Sequence, residues 1–282
     1  MFRTPNLALL ITLFLVIGTG CTDSDPLPDP VAPAPGETAK AHTDTFRLQA
    51  YGLDSVHVAG SVNDWADDDP AWALTLQPDG YTWQLVTQVP DNIFTYKFVM
   101  RIGAEMEWIT DPAATEVTPD GFHGNPAYWN ALRGRQFTKP DPLPNPIDRS
   151  RLVIYEVNLN DFSSSGTFTG AQANLTTAAD LVDLGVNAIE LMPVTAPSYN
   201  GWGYDPVLQY ALNPSFGWPH TFASLVDEAH SYGMAVILDA VVNHMSGSAP
   251  LRQIDDFTGE YRYTTTESNP WGLVELNWNE PI

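Results

Sequence analysis

LVIYEV at 152–157, NAIELM at 187–192 and MAVILDAVV at 234–242 are three continuous apolar runs of strand length, with helical stretches over about 171–184 and 219–232 between them. Strands that are apolar throughout, instead of alternating, are strands covered on both faces. Their alternation with helices predicts βαβαβ units around a parallel sheet. A closed barrel and an open doubly wound sheet share this pattern, so periodicity alone leaves both open. The chain has no internal repeat and no glycine-rich phosphate loop.

Upstream the reading changes. Val56–Ala59, Thr82–Val86 and Phe94–Val99 are β-rich runs separated by Gly, Pro, Asp and Asn turns, the spacing of a small β-sandwich. Phe94, Tyr96 and Phe98 alternate with Thr95 and Lys97, which puts the aromatic rings on one face and Lys97 on the opposite face, where water can reach it. Trp72 and Trp83 read as core. The Pro-rich stretch KPDPLPNP at 139–146 separates the two regions. The expected organisation is a sandwich at 46–137, a linker at 138–150 and a second domain at 151–282.

Lys and Arg total 12 against 34 Asp and Glu, a formal charge of −22, which repels nucleic acid and anionic lipid and favours a neutral ligand. The N-terminus carries Arg3, the apolar run Leu7–Ile17 and then Gly18-Thr19-Gly20-Cys21, the pattern of an export signal. That run is too short to span a bilayer, which needs about 20 residues. Cys21 is the only cysteine, so no disulfide forms within the chain. Residues 1–21 resemble a bacterial lipoprotein signal, which implies lipidation at Cys21 and an exported protein on the outer membrane or cell surface, with the lipid as its only membrane contact. Residues 22–45, rich in Pro and Asp, read as a disordered tether.

VHVAGSVNDW at 56–65, TYKFVM at 95–100, EWITDP at 107–112 and DGFHGN at 120–125 follow in order. Together they resemble the glycogen-binding carbohydrate-binding module found beside amylase-type catalytic domains, an immunoglobulin-like early-set sandwich. The resemblance implies that Trp65, Lys97, Trp108 and Asn125 contact glucan. The chemistry suits that role: indoles stack on the C–H faces of sugar rings, while an ammonium and an amide bond to hydroxyls.

YEVNLNDF at 155–162, GVNAIELMPV at 185–194, GWGYDP at 201–206 and DAVVNH at 239–244 resemble the first three strands of the alpha-amylase family of glycoside hydrolases. The resemblance implies a (β/α)8 TIM barrel, α-glucans such as starch, glycogen and maltooligosaccharides as partners, and a retaining reaction. LMPV with WGYDP leans toward branching and debranching members. Barrel active sites lie at the C-terminal strand ends, where Asp239, Asn243 and His244 fall. By resemblance, Tyr204 stacks on the sugar at the cleavage point and His244 bonds its primary hydroxyl. Asp239 holds an active-site arginine, Asp205 supports the Tyr204 loop, and Asn243 is a calcium ligand.

Retaining hydrolysis needs a nucleophilic carboxylate and a carboxylic acid about 5–5.5 Å apart. In the family they stand on strands four and five, the nucleophile within Arg-x-Asp. No Arg-x-Asp occurs after Arg151, residues 270–282 look like the loop before strand four, and 151–282 is about half of a typical barrel of about 250 residues. The expectation is a truncated member with only part of its barrel and without the nucleophile and acid. The alternative is a non-catalytic, surface-anchored glucan-binding lipoprotein. The 282-residue polypeptide is therefore expected to release no reducing sugar from starch, maltooligosaccharides or pullulan. Release abolished by Asp239→Ala would overturn this and point to Glu190 or Asp205 as part of an unrecognised pair.

Overall fold

In the computed structural model of the chain, the structure describes residues 41–119, 129–134, 139–176, 179–199 and 201–279. The signal at 1–21 with Cys21, the tether as far as residue 40, and Asn125 lie outside them. Among the described residues no helix is long and apolar enough to cross a membrane.

The first region is built from two antiparallel sheets. In one, β1 (Ala41–Gln49) pairs with β4 (Thr82–Pro90) along its whole length, and β4 also takes the short β3 (Thr75–Leu76). In the other, β5 (Phe94–Ile102) is central, with β2 (Ser55–Gly60) on one side and β6 (Glu105–Ile109) and β7 (Ala131–Arg133) on the other. Alternation dictates what fills the space between the sheets. Phe46 and Leu48 from β1, Trp83 from β4, Val56 and Val58 from β2, and Tyr96, Phe98 and Met100 from β5 form one buried cluster, with Trp72 packed against it. Phe46 meets Tyr96 edge-on at 5.1 Å between ring centres. Asp111, from EWITDP, serves the fold: buried, it accepts from Tyr96 Oη at 2.5 Å and from the Ala113 amide at 2.8 Å.

This region begins earlier than the expected boundary at 46. Ala41–Thr45, assigned from sequence to the tether, pair with Val86–Pro90 and continue β1, because β4 extends far enough to satisfy their backbone groups. The expected linker likewise ends in a short 3₁₀ turn, Arg149–Arg151, capped by the Asp148 side chain.

The second region opens with a parallel sheet in which β8 (Ile154–Val157) and β10 (Ala235–Leu238) flank β9 (Ala188–Leu191). The crossovers carry α1 (Leu159–Phe162), α2 (Phe168–Thr176), α3 (Ala179–Asp183) and α4 (Pro219–Ser231). Both α2 and α3 overlap the helical stretch expected at 171–184. The register aligns Glu156 with Glu190 and Glu190 with Ile237, so these share one face of the sheet. The opposite face buries Val157, Ile189 and Leu191 against Phe168, Leu225 and Ala229 of α2 and α4. At the two sheet edges Ile154, Tyr155 and Leu238 remain exposed.

After β10 the chain builds elements that no sequence pattern announced. β11 (His244–Met245) pairs with β13 (Val274–Leu276), which pairs with β12 (Thr264–Ser268), and α5 (Pro250–Thr258) lies between β11 and β12. The buried Asp255 carboxylate ties α5 to β12, accepting from the amides of Arg262, Tyr263 and Thr264 and from Thr264 Oγ1. The two regions share a core. Ala196, Val207, Leu208 and Ala211 from the loop after β9, with Ile254 and Tyr263, are buried in the same cluster as Phe46 and Trp83. Tyr263 Oη donates to the Gln49 carbonyl at 2.6 Å, and the Arg262 guanidinium lies 4.0 Å from the centre of the Tyr51 ring.

Candidate functional sites

The loop after β9 folds back as a hairpin, closed by bridges between Thr195 and Leu212 and between Pro197 and Pro206. Gly203 permits its return: φ is +85°, and a Cβ there would sit 2.5 Å from the Pro193 carbonyl oxygen. The next residue, Tyr204, reaches the end of β10 and donates its Oη to Asp239 Oδ2 at 2.6 Å. Asp239 extends the ladder by one bond, its amide donating to the Leu191 carbonyl, so its side chain follows Ile237 onto the face of Glu156 and Glu190. The Tyr204 phenol is pushed up to about 12, first by the bond to Asp239, then by burial and by the negative charges of Asp239, Glu156 and Glu190.

His244 opens β11 behind this pair. Its Nε2 lies 2.7 Å from the Tyr204 carbonyl oxygen, which can only accept, so Nε2 carries the proton. Nδ1 is buried and unpaired. The nitrogen left for a sugar hydroxyl is therefore turned inward, while the other is already committed to holding Tyr204. Asp205, also buried, accepts through Oδ2 from the Ser198 amide at 3.2 Å and from the Ser198 hydroxyl. Burial raises its pKa, and the Ser198 bonds oppose that. The supporting role expected of Asp205 thus runs through Ser198, which no sequence signal singled out. Asn243 uses its carbonyl to accept from the Leu276 amide, and the residue is exposed. Among the described residues no three His, Cys, Asp or Glu side chains gather as a metal site.

The structure brings two of the four sugar-contact candidates of the first region together. Trp65 and Trp108 lie 6.4 Å apart between ring centres at 32°, and both are partly exposed. Trp65 stands in a turn that Asn63 stitches shut: the Asn63 side chain accepts from the Gly60 amide and donates to the carbonyls of Val58 and Ala66. Within that turn Asp64 and Trp65 adopt φ of +52° and +60°, left-handed values that non-glycine residues rarely take. Lys97 departs from expectation. It lies on the same sheet face as Trp108 but is only 7% exposed, and burial lowers its pKa against the raising influence of Glu107. On the same face Asp67, in the segment after β2, pairs with Arg101 of β5 at 3.2 Å.

Residues 154–270 match the family model of the alpha amylase catalytic domain. The malto-oligosyltrehalose trehalohydrolase of Saccharolobus solfataricus is 37% identical over 182 residues, covering 64% of this chain and 29% of that protein. A 1,4-alpha-glucan branching enzyme of Lactobacillus acidophilus is 26% identical over 251 residues, covering 84% and 38%. A pullulanase from Anoxybacillus sp. LM18-11, solved with maltotetraose, superposes with a TM-score of 0.65 over 85% of this chain and 40% of its own, at 19% identity, a likeness of fold. These matches support the alpha-amylase family of glycoside hydrolases for this chain, which spans about a third of the length of the curated relatives it matches.

Asp239→Asn removes the charge that holds the Tyr204 proton and should bring that phenol down toward the ordinary tyrosine value of about 10. Alkaline difference absorbance between wild type and variant should show one additional tyrosinate forming below pH 12. Superimposable titrations would mean that the Tyr204–Asp239 bond is absent in solution.

Proposed function

We propose that this chain takes part in α-glucan processing as a member of the alpha-amylase family, with a starch- or glycogen-like substrate and a retaining reaction of the branching or debranching kind. The observation that carries the reading is the Tyr204–Asp239 bond at the C-terminal end of β10, supported by the family match over the same residues. Tyr204 offers a ring face to a glucose unit, and Asp239 fixes the ring's orientation. Positioning of this kind assists bond cleavage only with a nucleophile and an acid, so these residues are assigned to binding and orientation. Asp205 and His244 hold the Tyr204 loop.

The first region is proposed as an immunoglobulin-like glucan-binding module with Trp65 and Trp108 as its platform, Lys97 beneath it, and Asn125 carried over from the resemblance alone. One stacked aromatic contributes about 0.5–1.5 kcal/mol beyond area burial. Trp65→Ala or Trp108→Ala in the full chain should therefore weaken binding to soluble starch or glycogen several-fold. Affinity electrophoresis checks this, and unretarded migration of the wild type would reduce the module to a structural brace.

The tilted indole pair favours one second reading, a non-catalytic glucan-binding lipoprotein, since binding needs only the first region. Both readings share the proposal of export and lipidation at Cys21. Cys21→Ser should move the protein from the membrane to the soluble fraction, and identical fractionation of wild type and variant would remove the anchor.

A further inference from the structure

We propose that His57 is a further contact residue of the glucan platform, bonding a sugar hydroxyl through Nε2 while the ring stacks on the Trp65–Trp108 pair. This rests on the reading of the first region as a glucan-binding module. The register places His57 opposite Val99 and Val99 opposite Trp108, so His57 and Trp108 stand in one cross-strand row on the same sheet face, two strands or roughly 10 Å apart. The adjacent row holds Ala59 and Lys97. Trp65, five residues beyond the end of β2, leans toward Trp108.

A platform of two indoles supplies stacking and Nε1–H donors but no acceptor for a hydroxyl proton, and the Lys97 ammonium, also a donor only, is largely covered. His57 has what that arrangement lacks. Its Nδ1 is buried without a partner, whereas Nε2 is neither shut off in this way nor bonded to any described residue. Nε2 is thus the atom left to meet a ligand. The charged groups around the ring are Arg101 on β5 and Asp67, Asp68 and Asp69 in the segment that follows Trp65. Burial lowers the pKa of His57, Arg101 adds to this, and the three aspartates oppose it, so the ring is neutral at pH 7. A neutral imidazole can donate or accept at Nε2, which suits a hydroxyl that does both.

The test is affinity electrophoresis of the full chain against soluble starch, with Trp108→Ala as the reference loss. His57→Phe keeps an aromatic ring of similar size and removes the polar edge, and should weaken binding about five-fold, while His57→Gln, whose amide reaches the position of Nε2, should retain most of it. Wild-type retardation that His57→Phe leaves unchanged, while Trp108→Ala abolishes it, would overturn the His57 assignment and spare the module. Equal losses in His57→Phe and His57→Gln, with a lowered melting temperature in both, would make His57 a structural residue and also overturn it. Wild type that migrates unretarded would remove the module and the His57 contact together.

Discussion

The candidate site depends on a core that two regions share. Val207 and Leu208 follow Tyr204 and Asp205 by two to four residues, and they are buried among the aromatic side chains of the two-sheet region. The loop that presents Tyr204 is thus anchored from below by the first region and from the side by β11, where Ser246 donates to the Pro206 carbonyl and His244 to that of Tyr204. An exposed loop held only by its ends would sample many positions of the phenol; buried apolar residues directly after it restrict that sampling. Tyr263, bonded to Gln49 and positioned by the Asp255 hub, adds a second attachment between the regions.

The electrostatics of the same face follow from strand register. Parallel pairing puts Glu156 beside Glu190, and Asp239 continues that face one step beyond Ile237. Three carboxylates on one face repel one another and disfavour an anionic ligand. A sugar carries no charge and can donate hydroxyl protons to all three, and the one phenol among them is correspondingly reluctant to ionise. The overall charge of −22 points the same way at long range.

Much of this was legible in the sequence, and the divisions between what was and was not are physical. The strands β8, β9 and β10 fall within the expected runs, and β2, β4 and β5 contain theirs, because local patterning decides a strand that is buried on one face or both. The start of β1 at Ala41 was hidden, since the polar residues His42, Thr43 and Asp44 become strand only through pairing with a distant partner. The same holds for β11, β12 and β13, short strands with no periodicity of their own. Tyr204 and Asp239 were singled out by motif and do meet, but their 2.6 Å bond could not be read from residues 35 positions apart. Lys97 was expected in water because alternation fixes only the face of a strand, not what the rest of the chain lays over it.

Backbone strain separates the indole platform from ordinary core. Two consecutive non-glycine residues in left-handed conformation, Asp64 and Trp65, cost roughly 1–2 kcal/mol each, and a large side chain gains nothing from that conformation by itself. Three bonds from the Asn63 side chain and the Trp65 amide donating to Gly60 hold the turn against this strain. The result is an indole 37% exposed to solvent and leaning on a second one, whereas Trp83, in unstrained strand conformation, is buried. A tryptophan whose only role was to fill the sandwich would be placed as Trp83 is. The strained turn instead leaves Trp65 partly exposed against Trp108, on the face that also carries His57.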